Sequence, residues 1–439
     1  MSSTTFAFLP KLSEYDPADT AEGSIDPLGL YPVAEALGIR LAPGVRERQS
    51  RVRFLTTSAV SLHLCFAFGD DQIAADGVSE PWQVFEWYVV EGLVRRRGQD
   101  DLSGVPGQNK VGSAIGQGKA VSATTYLKAA STFGFHGVYR VLARELGIEV
   151  GGLAGEAASQ LLEVWEKEQG LDGFRAGRGG DGGKWYAVWE AAIQDGLQAA
   201  AVSRKHGWNG WQFVADHLHP TRLGPRERKL LTELLIRESQ GFRDRLIHHF
   251  IAPQAQSVWQ AASSEREIHN LLAQAADGEF RALLQAIQTY EAFARLLQNA
   301  FEDMLFAMSR SLRRANPREL AAEPGVLAAA DAIPRLYATL NEQLDPFGQA
   351  ARLTSSFGRF ADPMNPAELA ESVLLHHVEV QQVKPPHGKA PWCERFDDGS
   401  YLVRPAYRRA EGATLDDRYV HGYRSRTLMT FIQDLALVN

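Results

Sequence analysis

His387, Lys389 and Glu394 stand in PPHGKAPWCERFDDGSYLVRPAYRR, residues 385–409, in an order close to H-x-K-x-x-x-x-D. Phosphodiester cleavage uses that order: a histidine nucleophile, a lysine that holds phosphate, and an acid that orients the histidine. The match is incomplete. The acid is glutamate and only one copy is present, where two must converge. Pro386 and Pro391 also interrupt the strand that should carry the motif. The same residues read better as a β-hairpin, with Trp392 packed and Lys384 and Lys389 exposed. A nuclease or phosphodiesterase remains the third reading.

GSAIGQGKA, residues 112–120, approaches a phosphate-binding P-loop, G-x-x-x-x-G-K-[ST]. It has five residues between Gly112 and Gly118, and Ala120 where a magnesium-binding hydroxyl belongs. A flexible loop whose Lys110 and Lys119 meet phosphates is the alternative to a plain solvated loop. The pairs His248–His249 and His376–His377 are adjacent, whereas two ligands on one helix face stand three or four residues apart. His217 and His219 alternate without a carboxylate cluster. No metal site and no cofactor are expected.

Arginine dominates the basic clusters. Arg46, Arg48, Arg51 and Arg53 precede an apolar helix, Arg175 and Arg178 lie among glycines, and Arg140 and Arg144 share one helix face. The planar guanidinium suits bidentate phosphate contact. Arg46, Arg48, Arg51, Arg53, Lys119, Arg140, Arg144, Arg175, Arg178, Lys384 and Lys389 are therefore the candidate nucleic-acid contacts. The competing reading places these charges on solvated faces or in pairs with acids.

The elements that must position these groups are mostly helical. Apolar spacing predicts helices in LYPVAEALGIRL, past Ser50, through EPWQVFEWYVVEGLVRRR and over 153–169. GQDDLSGVPGQNKVGSAIGQGK reads as a loop, and so does FRAGRGGDGGKW. AVSATTYLKAASTFGFHGVYRVLARELGIEV reads as two helices joined at FGFHG, a helix-turn-helix or winged-helix-like element. PRERKLLTELLIRESQGFRDRLIHHF reads as one helix opened by Pro225. A long helix from Asp277 buries one face, from Phe280 to Leu312, and stops at Asn316–Pro317. From about residue 372 the chain turns to short β structure, with a turn at Asp398–Gly399, before a last apolar helix. The expected division is an extended arm at 1–26, a helical domain at 27–152, a second at 153–330 and an α+β module at 331–439. The fold class is mainly α, with a small C-terminal β-hairpin module.

The chain has 439 residues, 45% of them hydrophobic, and a net charge of −7, so it can bury a large core and carries no bulk positive field. Two distant cysteines, Cys65 and Cys393, indicate neither a disulfide framework nor a zinc site and suit a reducing cytoplasm. The N-terminus lacks the layout of a signal peptide, and no apolar run spans a membrane.

Two regions, DPLGLYPVAEALGIRLAPGVRERQSRVRFLTTSAVSLHL with AVSATTYLKAASTFGFHGVYRVLARELGI, and HHVEVQQVKPPHGKAPWCERFDDGSYLVRPAYRR with YVHGYRSRTLMTFIQDL, resemble an uncharacterised family of bacterial proteins from phage-defence and restriction-type gene clusters. The resemblance implies work beside an ATPase, helicase or nuclease in a multi-protein complex. It carries over no catalytic residue. The first expectation is a non-enzymatic, nucleic-acid-associated subunit of an antiviral system that contacts DNA, duplex or single-stranded. The second is a helical scaffold that binds a protein and touches no nucleic acid.

Overall fold

The structure is a computed structural model that describes residues 26–69, 72–98, 102–237, 239–252, 262–385, 387–413 and 418–437. Of the arm read at 1–26, only Asp26 lies within that set. Eighteen α-helices and two two-stranded antiparallel sheets occur among the described residues, so the protein is mainly helical. The chain forms two compact units, each taken from two separated stretches. One contains the chain up to Leu37 and His269–His421. The other contains Gly38–Ile268 and Gly422–Asn439. This differs from the consecutive domains read from the sequence.

The unit built on 38–268 is organised around two buried helices. Phe54–Cys65 is buried along nearly its whole length. Two of its hydroxyls are satisfied within the helix: Thr57 Oγ1 donates to the Arg53 carbonyl at 3.3 Å, and Ser58 Oγ to that of Phe54 at 2.8 Å, whereas the buried Thr56 hydroxyl has no partner among the described residues. Pro81–Arg95 starts with Pro81 in its first turn and a Glu80–Gln83 capping box. Two helices close on it where side chains vanish. A Cβ on Gly92 would stand 2.9 Å from Val214, and one on Gly196 2.5 Å from Val84.

Several segments depart from their sequence pattern. Gln108–Gly116 is a helix inside the stretch read as a loop, which removes the P-loop geometry around Gly112. The helix Gly180–Ala199 begins within the glycine run, so only the residues before it form the loop. The single helix read after Pro225 is two, Pro225–Ile236 and Arg243–Ile251. Between them, Gly241 lies so close to the Arg40 carbonyl that a Cβ would stand 2.2 Å away.

The other unit is centred on the helix Gly278–Ser311. It buries Phe280, Leu283, Leu284, Ile287, Leu297, Phe301, Met304, Leu305 and Met308 as the period requires. Leu312 is the exception. It ends the helix in the left-handed conformation and is exposed. Asn316–Pro317 therefore does not stop this helix: Asn316 caps the next one, Pro317–Leu320. Pro366–Gln382 continues through HHVEVQQ, so the change to β structure comes later than the sequence suggests. The hairpin pairs Cys393–Arg395 with Tyr401–Val403, in the register Glu394 opposite Leu402. Gly399, at φ 77°, supplies the left-handed residue of its turn.

Candidate functional site

The arginine set divides by direction. The segment 44–53 is clamped from below. Gln49 Nε2 donates to the Val138 carbonyl at 2.9 Å, and the Tyr139 hydroxyl accepts from the amides of Ser50 and Arg51 at 2.9 and 2.7 Å. Burial and the charge of Asp434 leave that hydroxyl little tendency to ionise. Arg51 turns inward to Asp434 at 2.9 Å. Arg53 is 1% exposed. Its Nε meets Glu227 at 3.2 Å, and its terminal nitrogens donate to the carbonyls of His219 and His217 at 2.7 and 3.1 Å. Arg53 thus ties a helix start to a neighbouring turn and presents nothing to a ligand. Arg46 and Arg48 point outward, with Arg48 over the Phe133 ring at 4.5 Å.

The other candidates follow the same logic. Arg140 and Arg144 both reach Glu149, at 2.9 and 2.8 Å. Arg175 bridges Glu163 and Glu166 at 3.3 and 2.9 Å. Arg178 and Lys119 are exposed. Lys384 donates to the Asp26 carbonyl, and burial lowers its pKa. The Lys389 amide donates to the Gln381 carbonyl at 2.8 Å.

His387 and Glu394 stand on the surface, one in the turn after Pro366–Gln382 and one on the exposed side of a strand. The phosphodiesterase reading needs them in a shared cleft, so the structure gives it no support. The pair His376–His377 is structural. His376 Nε2 meets the Leu28 carbonyl at 2.8 Å. His377 Nδ1 donates to the Pro27 carbonyl at 2.9 Å, and its Nε2 accepts from the Trp392 amide at 2.8 Å. Among the described residues, no group of three His, Cys, Asp or Glu could hold a metal ion.

FGFHG proves to be a packing device. A one-turn helix, Ala130–Phe133, runs into Phe135–Glu145 with only Gly134 between them, in place of two full helices around a turn. A Cβ on Gly134 would lie 1.8 Å from Glu86 Oε1, and one on Gly137 2.3 Å from the Ser131 carbonyl. The glycines let a carboxylate in. Buried Glu86 accepts from the Tyr126 hydroxyl at 2.7 Å, the His136 amide at 3.0 Å and His136 Nδ1 at 2.9 Å. The carboxylate offers only acceptors, so Nδ1 carries a proton. The ring's Nε2 is buried and has no hydrogen-bond partner among the described residues.

His136 lines a cleft of about 630 Å³ between Phe54–Cys65, the start of Pro81–Arg95, Phe135–Glu145 and the hairpin Glu149–Val150/Leu153–Ala154. Its volume falls in the range of small-molecule sites, roughly 300–1,000 Å³. Sequence reasoning missed Glu86, Tyr126 and His136. A carboxylate inside the apolar run VFEWYVV was the available signal, because a buried acid requires donors.

Comparison of the chain with protein-family models, curated proteins and solved structures finds no match.

Proposed function

We propose that the protein is a non-enzymatic helical scaffold that binds a partner protein in the cytoplasm, within a multi-subunit antiviral assembly of the kind its sequence resembles. One observation carries this reading: of the arginines that would form a phosphate-binding face, Arg51 and Arg53 turn inward onto acids, and Arg140, Arg144 and Arg175 are partly engaged by carboxylates. Arg53, sealed with Glu227, gives up that acid only at a cost of several kcal/mol, whereas the half-exposed pairs of Arg140, Arg144 and Arg175 are held more weakly. Among the described residues no helix is long and apolar enough to cross a membrane.

The outward pair Arg46 and Arg48, on a clamped segment, favours a second reading in which the protein touches nucleic-acid phosphates. Fluorescence anisotropy with duplex DNA, single-stranded DNA and RNA, from low to roughly physiological salt and above, separates the two. The scaffold reading expects no saturable binding even at low salt. Salt-dependent binding that weakens when Arg46 and Arg48 are both changed to Gln overturns it. The log–log slope should then shrink by about one for each phosphate left without its arginine.

A further inference from the structure

We propose that the cleft containing His136 binds a small aromatic acid: a planar ring that carries a carboxylate. This site stands apart from the scaffold reading and does not depend on it.

Two features of the cleft select that chemistry. The first is its apolar wall. Trp82 stands 5.2 Å from the His136 ring, and Phe66 and Leu153, half or more exposed, flank the mouth. Large exposed apolar side chains beside a concave site mark a place where an apolar body is covered. Aromatic walls of this kind favour tilted or offset rings at roughly 4.5–7 Å, the spacing Trp82 and His136 already adopt.

The second feature is the cationic end. Arg140 and Arg144 converge on the single carboxylate of Glu149, which leaves a net positive charge there. Arg140 lines the cleft and spends only Nε on Glu149, at 2.9 and 3.1 Å. Its two terminal nitrogens make no hydrogen bond among the described residues. Their paired N–H groups match the two oxygens of a carboxylate. The other acid on the wall, Glu80, is occupied: it caps the Pro81 helix and accepts from Trp82 Nε1 at 2.8 Å.

The test is calorimetric titration of the full chain with indole-3-acetate, 4-hydroxybenzoate and anthranilate, with 3-methylindole as the ring lacking a carboxylate. At least one acid should bind saturably at one site, and 3-methylindole should bind at least about fivefold more weakly than indole-3-acetate. Arg140→Gln should weaken the acid at least about fivefold, while Arg140→Lys, which keeps the charge but loses the paired donors, restores only part of the affinity. Glu149 keeps Arg144 in both variants, and unchanged melting confirms the fold. Ser131→Trp, on an exposed wall position, should abolish binding by filling the mouth. No saturable binding of any acid overturns the proposal. So does binding that neither Arg140→Gln nor Ser131→Trp weakens.

Discussion

A guanidinium sealed from water is stable only while its acid is present. Arg53 and Glu227 are 1% and 0% exposed, and two backbone carbonyls complete the arginine's shell. Burial lowers the Arg53 pKa, while Glu227 opposes that shift. Glu227→Gln removes the countercharge and leaves the cation in place, so it should destabilise by about 3–5 kcal/mol. Arg46→Gln, on the outward side of the same segment, should change stability by less than about 0.5 kcal/mol. Urea denaturation of the two variants checks the pair, and equal midpoints would refute the division of the cluster. His377 makes a separate prediction. Burial lowers its pKa from 6.5 to about 4, outweighing the bond to Pro27 that raises it. Between those values the unfolded chain takes up a proton that the folded chain refuses. Stability from this group is therefore full above about pH 6.5 and is lost as pH falls toward 4, by up to about 1.4 kcal/mol per pH unit. In urea melts across that pH range, His377→Gln should start less stable and decline less steeply. An identical slope would show that the ring is not held neutral. Residue identities alone could not sort the arginines. Position in the chain places Arg46 and Arg53 in one cluster, and only the clamps on Gln49 and Tyr139 turn one outward and the other inward.

Helices whose apolar period is long and regular were legible in the sequence. Gly278–Ser311 buries the predicted stripe because period and burial are the same fact on a 34-residue helix. The Asp398–Gly399 turn was legible because its second residue must take φ > 0. Short polar elements were not. Gln108–Gly116 buries only Val111 and Ala114, too little to stand out among glycines, and long-range packing decides it. Glycine was misread for the same reason. In FGFHG it signals a turn locally, whereas its role is to clear space for Glu86 and for the Ser131 carbonyl. Gly134→Ala should therefore displace a carboxylate that three donors hold. The expected loss is at least about 3 kcal/mol, the scale for breaking a buried charged network. Gly118→Ala, where φ is 67° but no atom lies within 4 Å, should cost no more than about 1–2 kcal/mol. A thermal melt of both variants decides between crowding and backbone strain. Equal losses would mean that Glu86 relaxes at little cost.

At the scale of the molecule, the chain leaves a unit at Ile268 and returns to it at Gly422. That return makes the unit depend on contacts far apart in sequence, which no local pattern announces. The returning helix, Ser425–Asp434, buries Leu428, Phe431 and Ile432. The Ser425 amide donates to Glu265 at 2.8 Å. Asp434 accepts from Arg51 at 2.9 Å and from the Val52 amide at 3.2 Å. Three buried apolar side chains contribute roughly 5–9 kcal/mol, comparable with the whole stability of a domain. Ending the chain after His421 should therefore unfold the 38–268 unit and strip its amides of exchange protection. The helix Gly278–Ser311 keeps its own buried stripe and should stay protected. Hydrogen exchange read by mass spectrometry resolves the two sets of peptides in one experiment. The Arg51→Ala variant extends the argument. If Arg51 exists to hold Asp434, its loss lowers protection across the same peptides by about 1–3 kcal/mol and leaves any nucleic-acid binding untouched. Unchanged exchange together with weakened DNA binding would return Arg51 to the phosphate-contacting set and the protein to the nucleic-acid reading.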